Sequence, residues 1–282
     1  MSADSAYERG SDVSEGRPPA DGPVKLNTSV AHNARVWNYW IGGKDNYEVD
    51  RQVGEHVAGL FPVIRAVARA DREFLGRAVR CLAEERGVRQ FLDIGTGLPT
   101  VHNTHEMAQR IAPDSRIVYV DNDPIVLAHA RTLLTSSAEG VTDYIDADVH
   151  DPDAILRRAA ETLDLSRPVA VMMLGILNFV LDTDKARDIV RRVMAAVPSG
   201  SFLVLTHPTF DAEFGGAGNV AAMEFWNENA TPPIIARAKT EVAAFLDGLD
   251  LLEPGLVPCS QWRAGPDSPA VVPQFGAVAV KP

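Results

Sequence analysis

The sequence predicts an α/β protein: a seven-stranded, doubly wound, mostly parallel sheet, its last strand antiparallel, with a helical cap at the N-terminus. Three observations predict it. From Gly87 onward, short apolar runs alternate with longer amphipathic stretches, which is the pattern of βαβ units. The first of these runs leads directly into a glycine-containing loop, FLDIGTGLP at 91–99, at the place where open sheets bind ligands. From Asn27 to Gly87 the pattern is helical.

Residues 1–24 hold Ser, Asp, Glu, Gly and Pro, with Tyr7, Val13 and Val24 the sizeable apolar side chains after Met1. Such a segment cannot repay the entropy of ordering and is expected to be a disordered tail. Residues 25–86 are expected to form a helical cap or lid. A short helix carries Val36, Trp37 and Trp40, Gly42 and Gly43 break it, and a second runs from Asp45 to about Ala58. A long third helix starts at Pro62 and places Ile64, Val67, Phe74, Leu75, Ala78 and Leu82 on one face before Gly87 ends it.

Residues 87–282 read as the sheet domain. Strands are expected at 89–94, 116–121, 142–147, 168–175 and 201–207, separated by helices near 101–112, 123–136, 152–163 and 183–197. A helix at about 232–247, a weaker strand near 250–257 and a final strand at 274–280 complete the pattern.

Composition narrows the function. Lys and Arg total 27 against 38 Asp and Glu, a formal charge of −11, which repels phosphate backbones and anionic membrane surfaces. Nucleic acid and membrane are therefore disfavoured as partners. Two cysteines, Cys81 and Cys259, build no disulfide framework, and neither a long apolar run nor a signal-peptide pattern is present, so the cytoplasm is the expected compartment.

The chemistry concentrates at the strand ends. Gly95 and Gly97 let the backbone turn sharply and approach a ligand, although a tight turn with no ligand is the bland alternative. Position 100 is Thr where a dinucleotide loop has its third glycine, which argues against NAD and FAD. Asp93 ahead of the loop suits a cation instead, such as the ammonium or sulfonium of S-adenosylmethionine. Asp121 closes the second strand in VYVDND and can accept both hydroxyls of a ribose. After the third strand, DYIDADVHDPD holds five aspartates from Asp143 to Asp153. Asp148 can accept an adenine amino group and Asp151 can cap the next helix, with a divalent metal as the rival reading, disfavoured because the carboxylates alternate sides of a strand.

FLDIGTGLP, VYVDND, DADVHDP, VAVMMLGILNFV at 169–180 and PSGSFLVLTH at 198–207 resemble the successive motifs of class I S-adenosylmethionine-dependent methyltransferases. ARVWNYWIGGKDNYEVDR at 34–51 and GLPTVHNTHEMAQ at 97–109 resemble the S-adenosyl methyltransferase family whose members carry a GGKDN segment ahead of the fold. The resemblance covers roughly residues 27–280 and implies a Rossmann-like domain. It implies that Asp93, Gly95, Thr96 and Gly97 hold the methionine end, with Asn103 and Gly175 nearby. Asp121 and Asn122 would hold the ribose, and Asp148 and Val149 the adenine. The fourth strand departs from the family, reading Leu177-Asn178-Phe179 where a His often stands, and Asn cannot act as a general base.

Other candidates follow from position. His207 closes the fifth strand and could deprotonate an acceptor, or could simply be a hydrogen-bonded strand-end histidine. Tyr47 is a second catalytic candidate. Tyr39, Gly43, Asn46, Asn178 and Phe179 are expected to border the acceptor or to close over it, and His105 either joins them or packs its helix. Asp71 falls among apolar helix positions and, if buried, needs a partner. His102, His105 and Glu106 lack the spacing of a zinc protease, and Pro258-Cys259 falls too late for a cytosine-methylating nucleophile, so no metal and no thiol chemistry is expected. The function these readings converge on is methyl transfer from S-adenosylmethionine to a small-molecule oxygen or nitrogen, leaving S-adenosylhomocysteine. The alternative is a catalytically silent S-adenosylmethionine-binding regulator.

Overall fold

A computed structural model of the chain describes residues 27–100, 102–133, 136–215, 218–265 and 270–282, so the expected tail at 1–24 lies outside the described residues. In chain order, a two-residue strand β1 (Ala31–His32) leads into helices α1 (Asn33–Trp40), α2 (Glu48–Leu60) and α3 (Ile64–Arg80). Strands and helices then alternate: β2 (Gln90–Ile94), α4 (Thr104–Ile111), β3 (Arg116–Asp121), α5 (Pro124–Leu133), β4 (Val141–Asp146), α6 (Pro152–Ala159), β5 (Ala170–Leu174), α7 (Thr183–Ala195) and β6 (Phe202–Pro208). The chain continues through α8 (Asn219–Asn229), β7 (Ala230–Thr231), α9 (Lys239–Ala243), β8 (Asp250–Leu251), β9 (Val257–Pro258) and β10 (Gln274–Val280).

The main sheet has the order β4-β3-β2-β5-β6-β10-β8, with β9 also pairing on β10. Strands β4 to β6 are parallel, and β10 inserts antiparallel beside β6. The chain therefore enters mid-sheet at β2, winds outward to β4 and returns to β5. The adjacent ends of β2 and β5 form the switch point where such sheets open a crevice. Both sheet faces are covered. Phe91 and Ile117 pack towards α3, while Leu92, Val118, Val171 and Leu203 pack with α6 and α7 on the other face. Each fully buried side chain of this size stabilises the fold by about 1.5–3 kcal/mol.

Two expected elements differ. Residues 232–238 are not helical, because Pro232 and Pro233 supply no amide donors, so the helix expected at 232–247 is confined to α9 and the single turn after it, while α8, which ends before the prolines, was not expected. The expected strand at 250–257 is two short pieces, β8 and β9, because Glu253-Pro254-Gly255 turns between them.

The helices ahead of the sheet are joined to its far end. Arg35 and Asp50 form a buried ion pair at 2.9 Å between α1 and α2, and Asp50 also accepts from the His32 and Tyr47 amides. Those extra donors satisfy a carboxylate that would otherwise be costly to bury. β1 pairs in parallel with β7, and Trp40 of α1 meets Trp226 of α8 with ring centroids 6.4 Å apart. No helix among the described residues is long and apolar enough to cross a membrane.

Candidate active site

The site begins at the turn after β2. Gly95 has φ +81 and donates its amide to Val120 O at 2.8 Å. A Cβ at Gly95 would meet Ile176 Cδ1 at 2.6 Å, so both the backbone and the space require glycine. Gly97, at φ +66, faces open space and donates its amide to Asp121 Oδ2 at 2.8 Å. The other Asp121 oxygen accepts the Asp123 amide at 2.9 Å. The carboxylate at the end of β3 thus holds the glycine turn at the end of β2 in place. Asp93 is fixed similarly, its Oδ2 accepting from Thr104 Oγ1 in the first turn of α4 at 2.7 Å.

These carboxylates line a cavity of about 290 Å³ with two unlike halves. One half lies over the strand ends and includes Asp93, Gly95, Thr96, Gly97, Asp121, Asn122, Asp148, Val149 and Gly175. Burial raises Asp93 from 3.8 to about 6, against the Thr104 hydrogen bond and nearby Arg72, while the charges of Asp121 and Asp71 add to the rise. Burial also raises Asp121, opposed by amide donors. At Asp148 burial pulls the same way, but the donors of His150 and Asn122 prevail and hold the carboxyl below its usual range. Crowded, partly desolvated carboxylates of this kind suit a ligand with a positive end and several hydrogen-bond donors.

The other half is walled by α1, α2, α8 and the 232–234 segment, through Trp37, Phe61, Met223, Trp226 and Ile234, with Phe179 beside them. Asp71 lines it, with Oδ1 accepting from Thr206 Oγ1 at 2.6 Å and Gln274 Nε2 at 2.5 Å, and burial raises its carboxyl above the usual range. Asn178 is 6% exposed and lines the cavity, and its Oδ1 has no hydrogen-bond partner among the described residues. A buried acceptor left unmatched costs about 1–3 kcal/mol, so the fold retains it at a penalty.

Several expected site residues stand elsewhere. His207 is fully buried behind the cavity wall. Its Nδ1 lies 2.8 Å from Pro208 O, its Nε2 lies 2.8 Å from Arg237 Nη1, and burial lowers its pKa from 6.5 to about 3. Both ring nitrogens are engaged and His207 is not part of the cavity lining, which corrects the expectation of a base there and agrees with the alternative of a hydrogen-bonded strand-end histidine. Tyr47 also lies off the wall: it is 38% exposed at the start of α2, with its ring under Arg35. Tyr39 bonds Glu55 and lies beneath Arg65. Gly43 and Asn46 serve Asn38. A Cβ at Gly43 would strike the Asn38 amide at 2.3 Å, and Asn46 Nδ2 donates to Asn38 Oδ1 at 3.0 Å. Of this region Trp37, Asn38 and Ile41 reach the cavity, because α1 presents that face to the strand ends.

Asn103 is not part of the cavity lining, which corrects its placement near the cofactor, and for His105 the packing alternative is the one that fits. Asn103 precedes α4, its amide donating to Glu106 and its Oδ1 accepting from the Thr100 amide. His105 is buried, with Nδ1 2.9 Å from Tyr119 Oη, so it packs the helix. Of the aspartate run, Asp151 caps α6 by accepting from the Ala154 amide, and Asp143 accepts from Thr162. Sequence reasoning overlooked His32, Asn38, Asn219 and Trp226, all of which line the cavity. The Trp residues carried a signal, large aromatics on short helices, but nothing local assigned them to one pocket.

Comparison with known proteins agrees with this arrangement. A family model described as S-adenosyl methyltransferase matches residues 19–282. A DUF574 family protein from Streptomyces avermitilis is 44% identical, covering 90% of this chain and 99% of its own, with a TM-score of 0.85. A candidate methyltransferase from Thermobifida fusca is 36% identical, covering 93% of this chain and 99% of its own, with a TM-score of 0.82. No curated protein matches the chain. With a family match over nearly its whole length and a strand-end cavity of fitting chemistry, the chain belongs to the S-adenosyl methyltransferase family.

Proposed function

We propose that this chain transfers a methyl group from S-adenosylmethionine to a nitrogen or oxygen of a small molecule, with donor and acceptor meeting where the two halves of the cavity join. The observation that carries the reading is the convergence of three successive strand ends, each with a carboxylate, on one wall beside the glycine turn. S-adenosylmethionine, when bound, supplies a methyl group on a positively charged sulfur. In this reading Asp93 takes the ammonium, while Gly95, Thr96 and Gly97 allow the methionine end to approach the backbone. Asp121 and Asn122 take the ribose hydroxyls, Asp148 and Val149 border the adenine, and Gly175 floors the site between the halves.

Methyl transfer from sulfur has a good leaving group, so alignment and exclusion of water can supply most of the acceleration. The apolar half and the α1–α8 cover suit that task. A cavity of about 290 Å³ under a net charge of −11 fits a small molecule better than a nucleic acid. The GGKDN segment contributes by seating Asn38 on the cavity wall.

The test is calorimetric titration of ligand-stripped protein with S-adenosylmethionine, with NAD and the Asp121→Ala variant as controls. Saturable binding, weakened about tenfold or more by the variant and absent for NAD, is the expected result. Equal affinity in parent and variant would remove the ribose assignment.

A further inference from the structure

Asn178 is one of several buried polar groups without a hydrogen-bond partner among the described residues, and it lines the cavity. It sits in the 177–179 turn that follows β5, beside the glycine loop, since the side chain of the neighbouring Ile176 fills the space over Gly95. The turn is held from behind by one residue. Arg237 is fully buried and donates to Leu177 O at 3.0 Å, Val180 O at 2.6 Å and Thr183 Oγ1 at 3.0 Å, while its Nη1 meets His207 Nε2 at 2.8 Å. Asn178 O accepts the Ile235 amide at 2.9 Å, which ties the turn to the apolar wall. These bonds tie down the backbone of the turn on both sides of Asn178, whose Oδ1 is unmatched among the described residues.

The second polar group nearby is Asp71. Thr206, which donates to it, pairs with Leu174 across β5 and β6, and the Gly175 amide donates to Thr206 O. Asp71 therefore lies close under the same turn. His32 also lines the cavity, but its Nδ1 lies 2.8 Å from Asp123 Oδ2, beyond the end of β3. That is two strand spacings, roughly 10 Å, from the end of β5. Donors line the same cavity, Arg72 beside Asp71 and the amides of Asn38, Asn219 and Gln274 among them, but near this turn the carboxamide oxygen without a partner among the described residues and the carboxylate are both hydrogen-bond acceptors. A hydroxyl has one hydrogen to give to such a pair, whereas a primary amine has two.

Resting on the methyltransferase reading above, we propose that the methyl acceptor is an amine on an apolar, ring-sized body, with its N–H groups on Asn178 Oδ1 and Asp71. The ring lies among Trp37, Phe61, Phe179, Met223 and Trp226. Methylation joins the nitrogen lone pair to the methyl carbon as the carbon–sulfur pair leaves with sulfur, and the surplus proton on nitrogen passes to Asp71 or water. Arg237 and His207 are positioning residues that act through the turn.

The experiment titrates protein saturated with S-adenosylhomocysteine against naphthylmethylamine, naphthylmethanol and methylnaphthalene, which share a body and differ in the polar group. The amine is expected to bind about tenfold or more tightly than the alcohol. Asn178→Leu is expected to remove that preference and Asn178→Asp to keep it, with unchanged affinity for S-adenosylhomocysteine in both. Given S-adenosylmethionine, the amine and not the alcohol should gain a methyl group by mass. An alcohol that binds or reacts as well as the amine, no binding of any naphthyl compound, or a preference that survives Asn178→Leu would each overturn the amine assignment alone. Failure of S-adenosylhomocysteine to bind the parent would instead remove the methyltransferase reading, and the amine assignment with it.

Discussion

In the proposed reading Asp93 is a ligand-binding carboxylate that the fold buries at a cost. Burial raises its carboxyl from 3.8 to about 6. Because the folded value lies above the unfolded one, the protonated form is favoured in the fold. The associated stability is complete below about pH 4 and is lost as pH rises through 6. At neutral pH the ionised group costs up to about 3 kcal/mol. Asp93→Asn is therefore expected to raise the melting temperature at about pH 8 and to give no gain near pH 4, as thermal scans at the two pH values would reveal. The same variant should lose most S-adenosylmethionine affinity. In the parent, titrations across pH should show affinity falling about tenfold per unit as pH drops below 6, because a neutral carboxyl no longer attracts an ammonium.

The segment from Gly175 to Val180 is the element on which the site turns, and it depends on groups remote in sequence. His207 contributes as the acceptor for Arg237, a structural task that needs the neutral imidazole. Its pKa of about 3 keeps it neutral in the fold, whereas the unfolded chain takes up the proton near 6.5, so this contribution to stability fades as pH falls below 6.5. His207→Ala leaves a void and an unmatched guanidinium N–H. It should cost about 2–4 kcal/mol, read as a lower midpoint in denaturant unfolding. A rate profile of the parent should show no break assignable to His207 near pH 6.5. The glycine turn is the complementary case, since Gly95→Ala both strains φ +81 and drives Cβ into Ile176. It should unsettle the 175–180 turn along with the donor site.

Across the whole molecule, the N-terminal helices and the region after β6 close the cavity jointly. β1–β7 pairing and the Trp40–Trp226 contact join α1 to α8, so one cannot open without disturbing the other. Hydrogen exchange should accordingly show S-adenosylmethionine protecting 33–40 and 219–229 together, and protection confined to the strand-end loops would count against a joint cover. At a free ligand concentration of about 100 times Kd the complex gains about 2.7 kcal/mol. For a chain of this size that is a rise of several degrees in melting temperature.

Strands β2 to β6, the glycine turn and the carboxylates Asp93, Asp121 and Asp148 were legible in the amino-acid order because each rests on neighbours in the chain. An apolar run makes a buried strand, a glycine permits a left-handed turn, and a strand's last residue falls at the crevice wherever the strand is placed. The titration state of His207, the isolation of Asn178 Oδ1 and the partners of Asp71 rest on contacts spanning 30, 57, 135 and 203 positions. No local pattern encodes those meetings. A histidine at a strand end looks like a base until Arg237 is packed against it, and burial, which sets both its charge and its reach, belongs to the assembled core.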